Sequence, residues 1–222
     1  QSRPRVFIVA VKRDVKIPRR LQAAEPANEW HSKVLQRAFK GLDVRLQREW
    51  IWWDLGEAPK PSPGALKKII EEDDVQWNTQ SETNRLISLM TPAHRNRLKE
   101  AKKLGVMQIG SLYLRMRQED GVNHQRAEIT FAPTLGCLRT PRGGASRPRI
   151  IVVKDGTVRT RLLSPKEAAA LMGLPRSYVL PEVYHHAFKI IGDGVVVPVV
   201  RFLADRLLEP IAQSVLNIGH AA

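Results

Sequence analysis

Arg161-Leu-Leu-Ser-Pro-Lys-Glu-Ala-Ala-Ala-Leu-Met-Gly173 is the stretch that most clearly places a strand directly before a helix. The run Val158–Leu163 has the composition of a strand. Ser164 is a favourable N-cap, Pro165 suits a first helical turn, and Glu167 can return its side chain to the amide of the cap. This pattern predicts a helix that ends near Gly173, and with it a chain of mixed α/β class.

Short β-type runs interrupted by glycine, proline and arginine lie upstream of this stretch. They indicate a small, mostly β lobe, with strands predicted at Ser111–Met116, Arg126–Phe131 and Arg149–Val153. Lys154-Asp-Gly-Thr157 predicts the turn into the next strand.

Helical patterns flank this β region on both sides. Those rich in Lys, Arg and Glu are predicted at Pro63–Glu72, Ser81–Met90 and Pro92–Leu104. An earlier helix begins at a cap at Asn28 or Ser32 and reaches Phe39. A final helix is expected over Val195–Leu208, with Pro210 just past its end.

The net charge of the chain limits the class of partner that it is expected to bind. The 222 residues include 36 Lys and Arg against 22 Asp and Glu, a formal net charge of +14. This excess favours a polyanion, and nucleic acid is favoured over a membrane face. No run approaches the roughly 18 apolar residues of a membrane span, and no signal-peptide pattern occurs, so a soluble cytoplasmic protein is expected. A single cysteine, Cys137, excludes an internal disulfide.

Val6–Val11 is apolar at nearly every position, which is typical of a strand covered on both faces of an α/β sheet. The sequence from Lys12 to about Ala27 is basic, contains prolines and has the character of a connector. Few nearby segments could therefore pair with this strand. Because the chain begins on Gln1, immediately before the strand, we expect an upstream segment that carries its partners.

Three segments are similar to sequence blocks of the cytosine-5 DNA methyltransferase family. Gln1-Ser-Arg-Pro-Arg5 resembles the eighth block, Gln-x-Arg-x-Arg, which a hydrophobic strand follows. Arg161–Tyr178 resembles the ninth block, and Ala187–Val199 resembles the tenth, usually written Gly-Asn-x-Val. The segments occur in the family's order and are separated by a long region where the family is variable.

This resemblance implies a Rossmann-like enzyme that transfers a methyl group from S-adenosylmethionine to carbon 5 of a cytosine flipped out of double-stranded DNA. Residues 1–11 would end the catalytic domain, residues 12–160 would be an inserted, mostly β target-recognition domain, and residues 161–222 would return to the catalytic domain. S-adenosylmethionine would be bound mainly by an N-terminal part. A bacterial, nucleoid-associated member of a restriction-modification system is expected.

Arg3 and Arg5 alternate along a strand entry, so their guanidinium groups point the same way and could jointly hold a phosphate or a carbonyl oxygen. Taken alone, both residues fit solvated surface arginines better. The resemblance implies a catalytic role for both and places Arg5 at the flipped cytosine.

Gly192, Asp193, Gly194 and Val195 are the candidate cofactor-binding residues. We expect them at a helix N-terminus, whose free amides and positive dipole end suit an anionic group such as the carboxylate of a methionine moiety. The resemblance implies cofactor contact there, although Asp193 stands where the family has Asn. A turn with Asp193 as an ordinary N-cap is the alternative.

The region Gly136–Arg149 combines arginines with glycines and prolines, so its backbone could approach DNA closely while arginine forks read guanine edges or clamp phosphates. A solvated, mobile loop is the alternative. The resemblance to the family's Thr-Leu segment and glycine-rich recognition loop completes the candidate DNA contacts: Gln125, Arg126, Thr134, Arg139, Arg142, Gly143, Gly144 and Arg147.

Three other features are less informative. Cys137 lies in Gly-Cys-Leu, not in the Pro-Cys setting of the family's nucleophile, and packing is its expected role. His185 and His186 are adjacent rather than at ligand spacing, so no metal site is expected. The tryptophans at 50, 52 and 53 are more typical of a core than of base stacking.

The sequence contains no Pro-Cys, no Glu-Asn-Val and no glycine-rich turn after a strand, all of which belong to the family's front half. We therefore expect this part to recognise DNA and complete the cofactor pocket but not to methylate alone. The missing N-terminal catalytic half could precede it in one chain or be a separate subunit. The alternative function is a non-catalytic, sequence-specific DNA-binding protein, which would not need the segment Gly192–Pro198.

Overall fold

The structure is a computed structural model that describes residues 5–27, 29–60, 65–72, 75–138, 140 and 146–219. Its contacts separate two compact units, each with its own core. The first comprises Arg5 and the described residues of 65–196, and the second comprises those of 6–60 and 197–219. The domain boundaries implied by the resemblance stay predictions.

The first unit is built on an antiparallel sheet with strand order β4-β3-β5-β6. Its strands are β3 Gln108–Glu119, β4 Val122–Thr130, β5 Arg149–Lys154 and β6 Thr157–Leu162. The predicted turn at 154–157 is confirmed, with Asp155 and Gly156 at φ 49° and 73°. β3 and β4 run further than predicted, because their polar ends carry no apolar pattern that marks a strand.

Helices cover both faces of this sheet. These are α3 Ala65–Ile69, α4 Gln80–Ser88, α5 Pro92–Lys103, α6 Pro165–Leu171 and α7 Tyr184–Asp193. Ile151 and Val153 of β5 belong to the cluster formed with α4 and α5, whereas Ile150 and Val152 belong to the cluster that contains Phe188. β5 is therefore buried on both faces, which explains its unbroken apolar run.

The helix predicted after Ser164 is confirmed as α6. Ser164 Oγ accepts a hydrogen bond from the amide of Glu167 at 3.1 Å, and Glu167 Oε2 accepts one from the amide of Ser164 at 2.8 Å. Met172 closes the helix, and Gly173 follows with φ +79°, a conformation that favours glycine. α7 was not predicted.

The second unit contains short strands and helices around a small apolar core. The elements are β1 Gln22–Ala23, α1 Lys33–Lys40, α2 Val44–Glu49, β2 Trp52–Trp53, α8 Val197–Leu203 and α9 Glu209–Gly219. Ser32 caps α1 as predicted, by accepting a hydrogen bond from Leu35. Trp50 and Trp52 pack around Phe39 with ring centroids at 5.5 and 5.0 Å, so these tryptophans serve packing.

One prediction for the second unit is wrong, and another stays a prediction. The final helix does not stop at Leu208, because a π-helical turn over Ala204–Leu208 leads directly into α9 and Pro210 lies within the continued helix. Val6–Val11 pairs with no described residue, so the strand expected there stays a prediction. Val9 and Val11 pack on the unit's core, whereas Ile8 is 82% exposed.

Candidate nucleic-acid interface

The segment that follows β4 is held to the first unit by two leucines. Leu135 and Leu138 are buried in the same cluster as Phe188 and Ile191 of α7. Thr134, one of the predicted DNA contacts, is half-buried in the bend just before Leu135. Four predicted DNA contacts, Arg139, Arg142, Gly143 and Gly144, lie outside the described residues.

Gly136 lies so close to β3 that only glycine fits. A Cβ atom there would stand 2.3 Å from the Tyr113 hydroxyl oxygen and 2.8 Å from its Cζ. Burial raises the pKa of Tyr113 above its usual value. The Tyr113 ring thus fixes the start of the glycine- and arginine-containing segment against the sheet.

Arg147 re-enters the described chain beside α7. Its guanidinium carbon lies 5.2 Å from the centroid of the Tyr184 ring, a cation–π distance. The ring stacks on Phe188 at 4.5 Å, and the Tyr184 hydroxyl donates to the carbonyl of Leu163 at 3.3 Å. Burial raises the pKa of Tyr184 to about 12. Tyr184 is therefore a neutral, fixed platform under an exposed arginine.

Two other arginines, Arg147 and Arg85, place positive charge near Arg149. Arg149 is half-buried and donates from Nη1 to the Arg147 carbonyl at 2.9 Å. Burial lowers the pKa of Arg149, and repulsion from Arg85 and Arg147 lowers it further. We call Arg85, Arg147 and Arg149 the guanidinium cluster, and guanidinium groups are charged donors of the kind that bind phosphate. Arg85 lies on α4, remote in sequence, and no sequence signal indicated it.

Gln125 and Arg126, also predicted DNA contacts, lie on β4 in the outer part of the β3–β4 hairpin. Arg126 Nε donates to Glu119 Oε1 at 2.8 Å, and Nη2 pairs with Glu119 Oε2. This ion pair therefore uses two of the three guanidinium nitrogens of Arg126. Gln125 pairs across the strands with Met116.

The predicted cofactor residues lie between two helices: the helix expected from Val195 begins at Val197 as α8, but the placement of Gly192 and Asp193 at its start is wrong. Gly192 and Asp193 end α7, and Gly194 is its C-cap, because the buried residues Ala187, Phe188 and Ile191 bring this segment into a helix that starts at Tyr184. A helix C-terminus presents carbonyls and the negative dipole end. Asp193 Oδ1 accepts a hydrogen bond from Thr140 Oγ1 at 3.0 Å. Val195 follows the cap and is 47% exposed.

The two candidate catalytic arginines lie at the start of the chain. Arg5 is exposed and belongs to the first unit. Arg3 lies outside the described residues. Cys137 is half-buried and its sulfur lies 3.7 Å from the carbonyl oxygen of Leu138. Among the described residues, no group of three His, Cys, Asp or Glu side chains is placed to hold a metal ion. None of the described helices is long and apolar enough to span a membrane.

Comparison with known proteins gives one family. The C-5 cytosine-specific DNA methylase family matches residues 1–209. The Type II methyltransferase M.MspI of Moraxella sp is 40% identical over 55 residues, which are 25% of this chain and 13% of that protein. The Type II methyltransferase M1.ScrFI of Lactococcus lactis subsp. cremoris is 31% identical over 64 residues, 29% of this chain and 16% of that protein. No solved structure matches the chain.

Proposed function

Because this chain belongs to the C-5 cytosine-specific DNA methylase family, we propose that it is the DNA-recognising part of a DNA (cytosine-5)-methyltransferase. The segments matched by M.MspI and M1.ScrFI cover only 13% and 16% of those proteins, so the activity of a whole enzyme is part of this proposal. A Rossmann-like catalytic part completes the enzyme, in the same polypeptide or as a partner subunit. Modification of DNA in a restriction-modification system is the proposed context.

The observation that carries the proposal is the guanidinium cluster of Arg85, Arg147 and Arg149. Arg85 and Arg147 both act on the charge of the half-buried Arg149, so positive charge is concentrated around Arg149 and attracts a phosphate. The Tyr184 ring holds Arg147 in place, so little side-chain entropy remains to be lost when a phosphate binds. The net charge of +14 attracts DNA to the same chain over a longer range.

The reacting thiolate must come from the catalytic part. Cys137 is the single cysteine of the sequence, and it is half-buried beside Leu138 on the segment held by Tyr113. A base flipped out of the duplex needs an accessible nucleophile in a pocket of its own. We assign to Cys137 a packing role and to Arg5, by resemblance, contact with the flipped cytosine.

S-adenosylmethionine supplies the methyl group when bound, and most of its contacts belong to the catalytic part. The end of α7 fits the positively charged amino end of its methionine moiety, because Asp193 is exposed and the helix ends in carbonyls. Residues Gly192–Val195 therefore complete the cofactor pocket at its amino end.

DNA binding and methyl transfer test different parts of this function. Fluorescence anisotropy of a labelled duplex should show binding by the chain alone, with an affinity that falls as salt rises because phosphate contacts release counterions. Transfer of tritiated methyl groups should appear only when the catalytic part is added. Failure to bind duplex DNA, or methyl transfer by the chain alone, would contradict the proposal.

A further inference from the structure

The β3–β4 hairpin extends beyond the rest of its sheet. β5 pairs with β3 only as far as Leu112↔Arg149, whereas β3 and β4 remain paired to Glu119↔Val122. Asp120 and Gly121 close the hairpin with φ 50° and 80°, a tight turn that matches strand twist. The five outermost residue pairs, from Arg115↔Arg126 to Glu119↔Val122, form a free two-stranded segment, which we call the ribbon.

One face of the ribbon continues the core face of the sheet, but its residues change from apolar to polar. Near the sheet this face carries Leu112, Ala127 and Ile129, all buried against α4 and α5. Further out, this face carries three amides: Gln125, which lies opposite the 59% exposed Met116, and the next pair on the face, Gln118 and Asn123. Nothing in the core requires amides there, since the hydrophobic cluster ends before them.

The amides and the arginines of the ribbon differ in their partners: among the described residues, only the arginines have side-chain hydrogen-bond or ion-pair partners, which are glutamates. Gln118, Asn123 and Gln125 make no side-chain hydrogen bond with any described residue, and Gln118 and Asn123 are exposed. On the other face, Arg117 Nε donates to Glu128 Oε1 at 2.6 Å, Arg115 pairs with Glu128, and Arg126 pairs with Glu119. The unused hydrogen-bonding capacity therefore belongs to the amide face.

From these observations we infer that the ribbon enters the major groove of DNA and reads base edges with Gln118, Asn123 and Gln125. This rests on the proposed function and adds the element that reads sequence. The ribbon is about 16 Å long at roughly 3.3 Å per residue, and a major groove about 12 Å wide admits two strands. An amide both donates and accepts, so it can pair with two atoms of one purine edge.

The test is selection of preferred sequences from a randomised duplex library by the 222-residue chain. The wild-type chain should select a motif. Gln118→Ala and Asn123→Ala should each lose discrimination by about tenfold at one or two base pairs, while binding to unselected duplex stays within about twofold. Asn123→Asp, which keeps the shape but removes the donor, should change the preferred base. Gln80→Ala removes an exposed amide on α4 and should leave the motif intact.

Replacement of N7 by carbon in the purines of the selected motif shows whether the major groove is read. This replacement should lower the affinity of the wild-type chain about tenfold. It should have little effect on the affinity of the ribbon variants, which have already lost the contact. An unchanged motif in the variants, as for a ribbon that docks a protein, overturns the ribbon inference but leaves DNA binding standing. Binding without any base preference also overturns it, and absence of duplex binding overturns the proposed function as well.

Discussion

Arg161 and Glu167 form a two-bond ion pair in the interior of the first unit. Nη1 lies 2.7 Å from Oε2 and Nη2 lies 2.5 Å from Oε1, and each residue is only 1% exposed. The same two side chains also bond to the backbone of Glu71 and Ser164. This pair therefore joins β6, α6 and the segment after α3 to one another.

Removal of one member of this pair should be strongly destabilising. Glu167→Gln leaves the Arg161 guanidinium buried without a counter-charge and should lower the free energy of unfolding by about 3–5 kcal/mol. Arg161→Lys should not preserve stability, because an ammonium group cannot make the fork. Urea unfolding followed by circular dichroism measures both. Glu100→Gln, in the exposed pair with Lys103, should cost less than about 1 kcal/mol, and equal losses would contradict the role given to burial.

The Glu167 carboxylate makes the free energy of unfolding depend on pH in the acid range. Burial alone would raise the pKa of Glu167, but hydrogen bonds from Arg161, Ser164 and Glu71 outweigh it and hold that pKa below its ordinary value of 4.5. The unfolded chain therefore takes up this proton first, and the stabilisation present above pH 4.5 is lost as the pH falls through the folded pKa. Urea unfolding between neutral and acid pH should show a steeper loss for the wild-type chain than for Glu167→Gln. Parallel curves would exclude Glu167 as the source.

The guanidinium cluster should govern salt-dependent DNA binding. Arg147→Ala and Arg85→Ala should each weaken duplex binding several-fold and make the dependence of log affinity on log salt shallower by about one unit. Lys103→Ala removes the same charge from a residue paired with Glu100 and should change neither. Anisotropy titrations at several salt concentrations measure the slope. Equal effects of all three variants would mean that net charge alone attracts DNA.

A methyl group at Gly136 should disturb the segment that follows β4. Gly136→Ala places a Cβ 2.3 Å from the Tyr113 hydroxyl, and the shift that follows should cost about 1–3 kcal/mol. Tyr113→Phe in the same chain removes the nearest atom and should recover part of the loss. Gly41→Ala meets only the Ala38 carbonyl at 3.4 Å and should change stability by less than about 0.5 kcal/mol. Thermal unfolding compares the variants.

Asp193 should support cofactor binding in the enzyme completed by its catalytic part. Asp193→Ala removes the carboxylate at the end of α7 and should weaken S-adenosylmethionine binding by about tenfold. Asp193→Asn keeps an accepting oxygen and should weaken it less. Isothermal titration calorimetry measures the affinity, and Asp155→Asn, at an exposed turn, is the charge-matched control. Unchanged affinity in Asp193→Ala would remove this residue from the pocket.

Features that depend on neighbouring residues were predicted correctly from the sequence, whereas features that depend on tertiary packing were not. The cap at Ser164 and the turn at Asp155–Gly156 depend on neighbouring residues, and both were predicted correctly. The outer half of the β3–β4 hairpin was missed, because its polar side chains face solvent and give no apolar alternation. Gly192 and Asp193 were placed at the wrong end of a helix, because burial of Phe188 and Ile191 created a helix before them.

The sequence by itself determined the mixed α/β class, the capped helix α6, the excess of positive charge and, through three short blocks, the family. These depend on local hydrogen bonds, total charge and residue identity. Only the tertiary structure decided that Arg85 of α4 lies close enough to Arg149 to act on its charge, and that the Arg161–Glu167 pair is buried. Such relationships join residues from separate elements, so they exist only once burial of the shared core has brought those elements together.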